Sequence, residues 1–386
     1  MRVLLITLTD VLPFVLTNVL NPALDYSAIV VDEVDKAKKS LSDFPQLRDK
    51  IFPFYELKEC IEKTHYHAVL FMCENPAWYA IIEQIREYGV SSNKFLNVHL
   101  ACATSKGHFL LERNLRYYKE HAAEFEMFAT GGCYTALGLD NTKFKYKLFN
   151  MGKGSQDLYY DYQIAKFILD QNSRVGGRLK YALIGLAPFH FHYDASRTSF
   201  VCSVLQYYIA FKDLHNFWLP IEQYKNLFSE EFLNIRLPLE NIDLNNIFYQ
   251  KSSSNKFVDI NARVNARKRI DVWKDRSYPS TVKENFQILD DYLTLCEKNN
   301  VRPIMFNPPL TEGYMRYFDR QKLDEFYYLV SELQKKHPKA VFCDGWKFEG
   351  FSDDYFVDVD HMNLNYAAKF SEILNGVIEQ LESEQK

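Results

Sequence analysis

The stretch EMFATGGCYTALGLD at residues 126–140 joins an apolar run to two glycines, a cysteine and a segment with helical spacing. This order is typical of a buried parallel strand that turns into its crossover helix. Comparable apolar runs follow, and patterns with helical spacing over residues 157–170, 281–299 and 322–336 separate them. We therefore predict a doubly wound sheet over residues 125–386. Its strands are expected at residues 126–130, 146–150, 181–187, 302–307 and 340–344.

The first part of the chain shows the same alternation. Apolar runs lie at residues 3–7, 28–31, 68–72 and 95–98. Helical patterns between them, as in residues 75–88, predict a Rossmann-like parallel α/β domain over residues 1–106. Residues 107–124 have amphipathic spacing and are expected to form a linker helix. Residues 200–280 lack the alternation and are expected to be a helical or irregular insertion in the second domain. The predicted fold class is thus α/β in two domains, the second a flavodoxin-like α/β/α sandwich over residues 125–386.

The length of 386 residues and the composition are those of a globular protein. Hydrophobic residues make up 47% and charged residues 25%, which excludes a disordered or collagen-like chain. The net charge of −4 gives no electrostatic reason to expect a nucleic-acid partner. The densest basic stretch, Arg263 to Lys274, is interpreted as a solvated helix face. Because the chain has only 14 glycines, the cluster at positions 131, 132, 138, 152 and 154 marks one locus.

Seven cysteines occur without a C-x-x-C pair or a regular spacing, which predicts reduced thiols and a cytoplasmic location. The apolar N-terminus is similar to a signal peptide, but Asp10 and Pro13 interrupt it and no small-residue cleavage site follows. We interpret residues 3–7 as a buried strand instead. No other window has the ~18 uninterrupted apolar residues of a membrane span, so no stable membrane insertion is predicted. The sequence leaves the oligomeric state open.

Cys133 stands where the first strand of the second domain gives way to a helix. In doubly wound folds, ligands bind beyond the C-terminal ends of the strands. Gly131 and Gly132 permit a sharp turn, and the helix N-terminus would stabilise a thiolate at Cys133. The N–H groups of the same turn could receive an oxyanion. A buried structural cysteine after an ordinary turn is the alternative, and position alone does not decide between the two.

Asp358 and His361 form a D-x-x-H pattern near the C-terminus. A carboxylate three residues before a histidine can accept the Nδ1 proton, which leaves Nε2 free as a general base. The same segment also has the pattern of a capped helix start, with Asn363 or Asn365 as the cap of a helix over residues 366–381. Both interpretations can hold together.

Two further strand ends carry polar groups. After the second strand, Gly154, Ser155 and Gln156 could form part of an anion cradle. The alternative is a plain loop in which Ser155 caps the next helix. After the third strand, His190 and His192 are expected at the same edge, where they either contact substrate or simply pack. A third metal ligand is not identifiable, so no metal and no cofactor are predicted.

The order of these motifs resembles the SGNH (GDSL-type) hydrolase superfamily over residues 125–386. The resemblance implies that Cys133 replaces the serine nucleophile of that family and that Gly154 lies near its second-block oxyanion glycine. It also implies that Asp358 and His361 complete a catalytic triad. Within the superfamily, the pattern is most similar to members that act on bacterial cell-surface glycans.

Two departures from that family bear on activity. Cysteine replaces serine, and its thiolate is a competent nucleophile that forms thioesters. No asparagine follows the third strand, which ends Gly185-Leu-Ala-Pro188, so one oxyanion donor of the family is missing. The resemblance implies an acyl-ester hydrolase or O-acyltransferase whose substrate is a small molecule, a carbohydrate or a cell-envelope glycan. The alternative is a catalytically silent protein that binds a glycan or nucleotide-sugar, although residues 1–106 lack the G-x-G-x-x-G fingerprint of a dinucleotide site.

Overall fold

The computed structural model describes residues 1–72, 78–91, 94–97, 109–198, 204–244, 266–271, 277–353 and 356–384. The chain forms two compact units. The first unit comprises residues 1–113 and 195–238, and the second unit comprises residues 114–194 and 239–386. Each unit contains a five-stranded sheet in which the neighbouring strands are parallel. The predicted α/β class is therefore confirmed.

Strands and helices alternate along most of the chain. The strands are β1 (Arg2–Thr7), β2 (Asp25–Val31), β3 (Ile51–Pro53), β4 (Ala68–Met72), β5 (Phe95–Asn97), β6 (Met127–Thr130), β7 (Leu148–Asn150), β8 (Tyr181–Gly185), β9 (Arg302–Asn307) and β10 (Val341–Asp344). The helices are α1 (Leu12–Phe14), α2 (Val34–Ser40), α3 (Leu57–Lys63), α4 (Trp78–Glu87), α5 (Leu110–His121), α6 (Cys133–Gly138), α7 (Leu158–Arg174), α8 (Val204–Phe211), α9 (Ile221–Lys225), α10 (Glu230–Leu233), α11 (Val282–Lys298), α12 (Glu312–Tyr317), α13 (Arg320–Lys336) and α14 (Leu364–Ser383). Each strand predicted from an apolar run is present, although Val98 and residues 75–77 of the predicted elements lie outside the described residues.

The first unit has the strand order β3-β2-β1-β4-β5. The side chains of β1 are buried alternately on the two faces of the sheet: Val3 and Leu5 belong to one core cluster, and Leu4 and Ile6 belong to another. Burial on both faces explains why these strands are continuous apolar runs in the sequence. β3 was not predicted, because its three residues end in a proline and are too short to form a recognisable run.

The segment 195–238 packs within the first unit. Phe228 and Phe232 are buried in the same cluster as Val3 and Leu5, and Phe228 also forms a backbone bridge with Leu20. The sequence predicted instead that this segment belongs to an insertion in the second domain. It packs within the first unit because the short helices α8 to α10 carry apolar side chains that cover a face of the first sheet. Among the described residues, no helix is long and apolar enough to cross a membrane.

The second unit has the strand order β10-β9-β8-β6-β7. Its N-terminal boundary falls inside α5, which is continued by a 3-10 turn at Ala122–Glu124 and corresponds to the described part of the predicted linker helix. α14 buries Tyr366, Phe370, Leu374 and Ile378 in one cluster with sheet residues such as Ile304. The Asn363 side chain caps this helix by accepting a hydrogen bond from the Tyr366 N–H at 3.1 Å. The cap fixes where the segment that carries Asp358 and His361 joins the helix.

Candidate active site

Cys133 is the first residue of α6, and Gly131 and Gly132 separate it from the C-terminal end of β6. Its side chain is partly exposed, whereas Cys60, Cys296 and Cys343, the other described free cysteines, are buried. Burial raises the pKa of Cys60 and of Cys343 to about 11, so these two thiols stay protonated near neutral pH. Among the described cysteines, Cys133 therefore has the most accessible thiol.

Three glycines allow α6 to sit tightly against the strand ends. Gly131 has a φ of 136°, and a Cβ there would lie 2.7 Å from the Gly185 carbonyl oxygen and would overlap Thr135 Oγ1. A Cβ at Gly152 would lie 2.6 Å from the Ala136 nitrogen. A Cβ at Gly185 would also overlap the Thr135 hydroxyl. The ends of β6, β7 and β8 thus approach the helix that carries Cys133 as closely as backbone allows.

Asp358 and His361 form the predicted acid–histidine pair. The Asp358 Oδ2 lies 2.8 Å from His361 Nδ1, and Asp358 Oδ1 accepts the backbone N–H groups of Asp360 at 3.0 Å and of His361 at 2.8 Å. These backbone bonds hold the carboxylate in the turn that precedes α14. Because Asp358 engages Nδ1, the Nε2 atom of the ring is left for other chemistry.

The charges of this pair are set by its surroundings. Burial opposes the ionisation of Asp358, but the hydrogen bond and the charge of His361 outweigh it, so the pKa of Asp358 lies well below its usual value. Burial likewise opposes the protonation of His361. The nearby Cys133 sulfur and the Asp358 carboxylate outweigh burial and raise the pKa of His361 well above its usual value. His361 therefore lies between the Asp358 carboxylate, to which it is hydrogen-bonded, and the charge of Cys133.

A second layer of polar groups surrounds His361. Tyr134 Oη donates to Asp360 Oδ2 at 2.8 Å, and the Arg269 guanidinium donates to Asp360 Oδ1 at 3.2 Å from Nε and 3.0 Å from Nη2. Asp360 Oδ1 also lies 3.3 Å from His361 Nδ1. Burial raises the pKa of Asp360 despite its cationic neighbours. These residues hold the D-x-x-H turn against α6 and flank its histidine with a second carboxylate.

Tyr134, Arg269 and Asp360 were missed as site residues in the sequence. Arg269 lies in a helical stretch at residues 266–271, inside the basic segment interpreted as a solvated helix face. Its side chain is 36% exposed and bound to a carboxylate that is 1% exposed, so that interpretation is wrong for this residue. The signal that could have found Asp360 is the second acid inside D-x-x-H. No local pattern marks Arg269.

The three ligand-bearing side chains of Asp358, Asp360 and His361 bring one oxygen or nitrogen each to within 4.8 Å of one another. Such a group could hold a metal ion. However, Arg269 Nη2 lies 3.0 Å from Asp360 Oδ1 and 3.8 Å from Asp358 Oδ2. A guanidinium in this position supplies the positive charge that a cation would otherwise supply, so the residues fit an ion-pair network better than a metal site.

His190 is placed at the same edge. A Cβ at Gly132 would lie 3.6 Å from His190 Nε2, so the imidazole faces the residue that precedes Cys133. His190 Nδ1 accepts a hydrogen bond from the Ala187 N–H at 3.1 Å. Burial lowers the pKa of His190 to about 4, so the ring is neutral near pH 7. Of the two histidines predicted after the third strand, His190 is therefore the one at the cysteine.

His192 has a different environment. Its Nε2 atom lies 2.6 Å from Glu325 Oε2, and its backbone carbonyl accepts the Tyr278 N–H at 2.8 Å. These bonds tie it to α13 and to the residue before the 3-10 turn at Pro279–Thr281, and no contact with Cys133, His361 or Asp358 occurs among its described bonds. The hydrogen bond with Glu325 accounts for the polarity of this position without a substrate.

The loop after β7 lies beside the start of α6. The Lys153 N–H donates to the Gly131 carbonyl at 2.9 Å, and Gly154 and Ser155 are half-buried. Gln156 is buried and its amide donates to Asp161 Oδ1 at 2.6 Å, so it braces the loop. Asp157 rather than Ser155 caps the following helix, accepting the Tyr160 N–H at 3.1 Å.

Taken together, these groups can perform nucleophilic chemistry at a carbonyl or related centre. A half-exposed thiol faces an imidazole, and a carboxylate orients that imidazole from its far side. The acid and the histidine come from the turn before α14, and the thiol comes from the end of β6. No protein-family model matches the chain, and no curated protein is significantly similar to it.

Proposed function

We propose that the second unit is a cysteine-dependent acyl-ester enzyme, either a hydrolase or an O-acyltransferase. The observation that carries the proposal is the Asp358–His361 pair, held at 2.8 Å, with Cys133 near enough for its sulfur to raise the pKa of His361. The thiol and the acid–histidine pair are separated by more than 200 positions in the chain. A structural cysteine after an ordinary turn has no need of a buried, oriented and charge-stabilised histidine at its sulfur.

The strand order also supports the proposal. In the second unit, the order β10-β9-β8-β6-β7 is equivalent to 2-1-3-4-5 when its strands are numbered from the first. This is the order of flavodoxin-like doubly wound sheets, in which ligands bind at the C-terminal ends of strands. Cys133 and the Lys153 loop lie at such ends. We propose on this basis, and on the resemblance of the motifs, an SGNH-like domain. The order 3-2-1-4-5 supports a Rossmann-like first unit.

The geometry suggests a two-step reaction. The Cys133 thiolate attacks the ester carbonyl carbon, forms a C–S bond and places the negative charge on the carbonyl oxygen. As the tetrahedral intermediate collapses, the C–O bond to the alcohol breaks and the His361 imidazolium gives its proton to the leaving oxygen. Water or a second hydroxyl then attacks the thioester and passes its proton to His361, which releases Cys133.

The substrate class follows from the resemblance and is proposed as O-acyl groups on a carbohydrate or cell-envelope glycan. The free thiols of the described cysteines favour a reducing, cytoplasmic environment for this chemistry. Hydrolysis and transfer differ only in the acceptor for the second step. A glycan hydroxyl in place of water would make the enzyme a transferase.

Turnover of acetyl esters by wild type, Cys133→Ala and Cys133→Ser tests the proposal. We expect the release of acetate from acetylated sugars or from p-nitrophenyl acetate by wild type, and none above background by Cys133→Ala. Cys343→Ala, which removes a buried thiol, is the matched control and should keep wild-type activity per folded molecule. Equal activity in wild type and Cys133→Ala would overturn the proposal.

The alternative function, a catalytically silent domain that binds a glycan or nucleotide-sugar, predicts an unreactive Cys133 thiol. We expect iodoacetamide to alkylate Cys133 at pH 6 to 7 in wild type and far more slowly in His361→Gln, because the imidazolium stabilises the thiolate. A Cys133 that is unreactive in wild type, together with binding of an unmodified glycan, would favour the silent domain instead.

A further inference from the structure

The imidazole of His190 is aimed at the turn that carries the nucleophile. It is 3% exposed, and its Nε2 atom lies 3.6 Å from where a Cβ of Gly132 would be. Gly132 directly precedes Cys133 and has no side chain to cover the ring. The ring of His190 therefore borders the turn between β6 and α6 that carries Cys133.

The hydrogen bond on the far side of the ring determines its tautomer. The Ala187 N–H donates to His190 Nδ1 at 3.1 Å, and a nitrogen that accepts a hydrogen bond carries a lone pair rather than a proton. In the neutral ring the proton is then on Nε2, the atom that faces Gly132. Burial keeps the ring neutral by lowering the pKa of His190 to about 4. The ring presents a fixed N–H donor without a positive charge.

The backbone that carries His190 is held rigidly. The Asn285 side chain on α11 donates to the carbonyls of His190 at 3.2 Å, Phe191 at 2.9 Å and Tyr193 at 3.0 Å. The Thr281 hydroxyl donates to the Phe191 carbonyl at 3.1 Å. A donor that is fixed before the reaction costs no reorganisation when negative charge develops in front of it.

We infer that His190, through its Nε2–H, is the oxyanion donor for acyl transfer to Cys133, a role that rests on the proposed function. It binds the carbonyl oxygen of the ester and holds the negative charge that appears on it when the C–S bond forms. The two histidines then have different roles. His361 transfers the proton, and His190 stays neutral and stabilises the oxyanion. His192, paired with Glu325, takes no part.

Two reactions of the same sulfur separate this role from a structural one. Acylation by p-nitrophenyl acetate passes through a tetrahedral oxyanion, whereas alkylation by iodoacetamide displaces iodide from a saturated carbon and forms no oxyanion. In His190→Asn, the side-chain oxygen can replace Nδ1 as acceptor for Ala187, but no atom reaches the position of Nε2. We expect acylation of Cys133 in this variant to fall about 100- to 1,000-fold, with alkylation unchanged.

His190→Gln and His190→Met form a matched pair in case His190→Asn fails to fold. Both side chains have similar length and lack Nδ1, but Gln offers an N–H near the position of Nε2. Cys133 should therefore be acylated faster in His190→Gln than in His190→Met. Equal acylation of Gln and Met variants, equal acylation of His190→Asn and wild type, or a parallel loss of acylation and alkylation would each overturn the role of His190. If Cys133 of wild type is not acylated at all, the proposed function fails, and the inference fails with it.

Discussion

Asp358 determines the charge state of the histidine that faces Cys133. Its carboxylate accepts from His361 Nδ1 at 2.8 Å, and the pKa of His361 is raised by Cys133 and Asp358 in spite of burial. A raised pKa keeps the imidazolium present to higher pH. His361 is therefore expected to be cationic over the neutral range.

Asp358→Asn removes the negative charge and leaves an amide of the same shape. The pKa of His361 should fall, so the imidazolium should be lost at lower pH. We expect the pH midpoint of the His361 titration, followed by NMR of the imidazole C–H signals, to fall by roughly one to three units relative to wild type. Glu312→Gln, at an exposed carboxylate, is the control and should not move the midpoint. An unchanged midpoint in Asp358→Asn would contradict the coupling.

Some of the side-chain contacts at the site could be predicted from the sequence, and others could not. The Asp358–His361 contact was predictable because the two residues lie three positions apart and meet within one turn. The contact of Arg269 with Asp360 was not predictable, because it spans 91 positions and depends on how the 266–271 helix packs. Similarly, alternation after β8 brought both His190 and His192 into consideration, but only tertiary packing distinguishes the ring that faces Gly132 from the ring paired with Glu325.

At the scale of elements, the turn between β6 and α6 is the part of the site that tolerates least change. Gly131 has a φ of 136° and no room for a side chain, whereas Gly132 has an extended backbone, with φ −73° and ψ −163°, that any residue can adopt. Backbone conformation and packing therefore require glycine at position 131 but not at position 132.

Gly131→Ala should destabilise the protein by about 2 to 4 kcal/mol, from backbone strain and from overlap with Thr135 and Gly185. Gly132→Ala should cost about 1 kcal/mol or less, because the added carbon meets His190 at an ordinary contact distance. Urea denaturation followed by circular dichroism measures both. A Gly132→Ala variant that is as unstable as Gly131→Ala would contradict the geometry of this turn.

Elements were predicted well where burial on both faces produced continuous apolar runs, as in β4 and β9. Helix ends were predicted less well because several polar residues compete to cap the same helix. Before α7, Ser155 was the cap considered, but it is Asp157 that bonds to the Tyr160 N–H. Before α14, Asn363 and Asn365 were both candidates, and Asn363 is the cap.

At the scale of the whole molecule, the first unit is discontinuous in sequence. Residues 195–238 complete its core, although they follow β8 of the second unit along the chain. Short helices of four to eight residues with few sequence signals do not reveal which sheet they will cover. The number and class of the sheets could be predicted from strand patterns, but the place of residues 195–238 in the first unit could not.

Phe228→Ala tests the membership of this segment in the first core. Phe228 is 3% exposed and clusters with residues of β1 and β2, so truncation should cost about 3 to 5 kcal/mol. Ile235→Ala, at a side chain that is 40% exposed, should change stability by about 0.5 kcal/mol or less. Thermal or urea unfolding of both variants gives the comparison. A Phe228→Ala protein as stable as wild type would contradict the assignment of residues 195–238 to this core.

In the proposed reaction, Cys133 forms an acyl-enzyme with the help of His361. The most direct measurement mixes the protein with p-nitrophenyl acetate, quenches in acid and locates the acetyl group by peptide mass spectrometry. We predict an acetyl thioester on Cys133 of wild type within the first turnover, and little or none on Cys133 of His361→Gln at the same time. Acetyl groups only on other residues, or equal labelling of Cys133 in both proteins, would contradict the account.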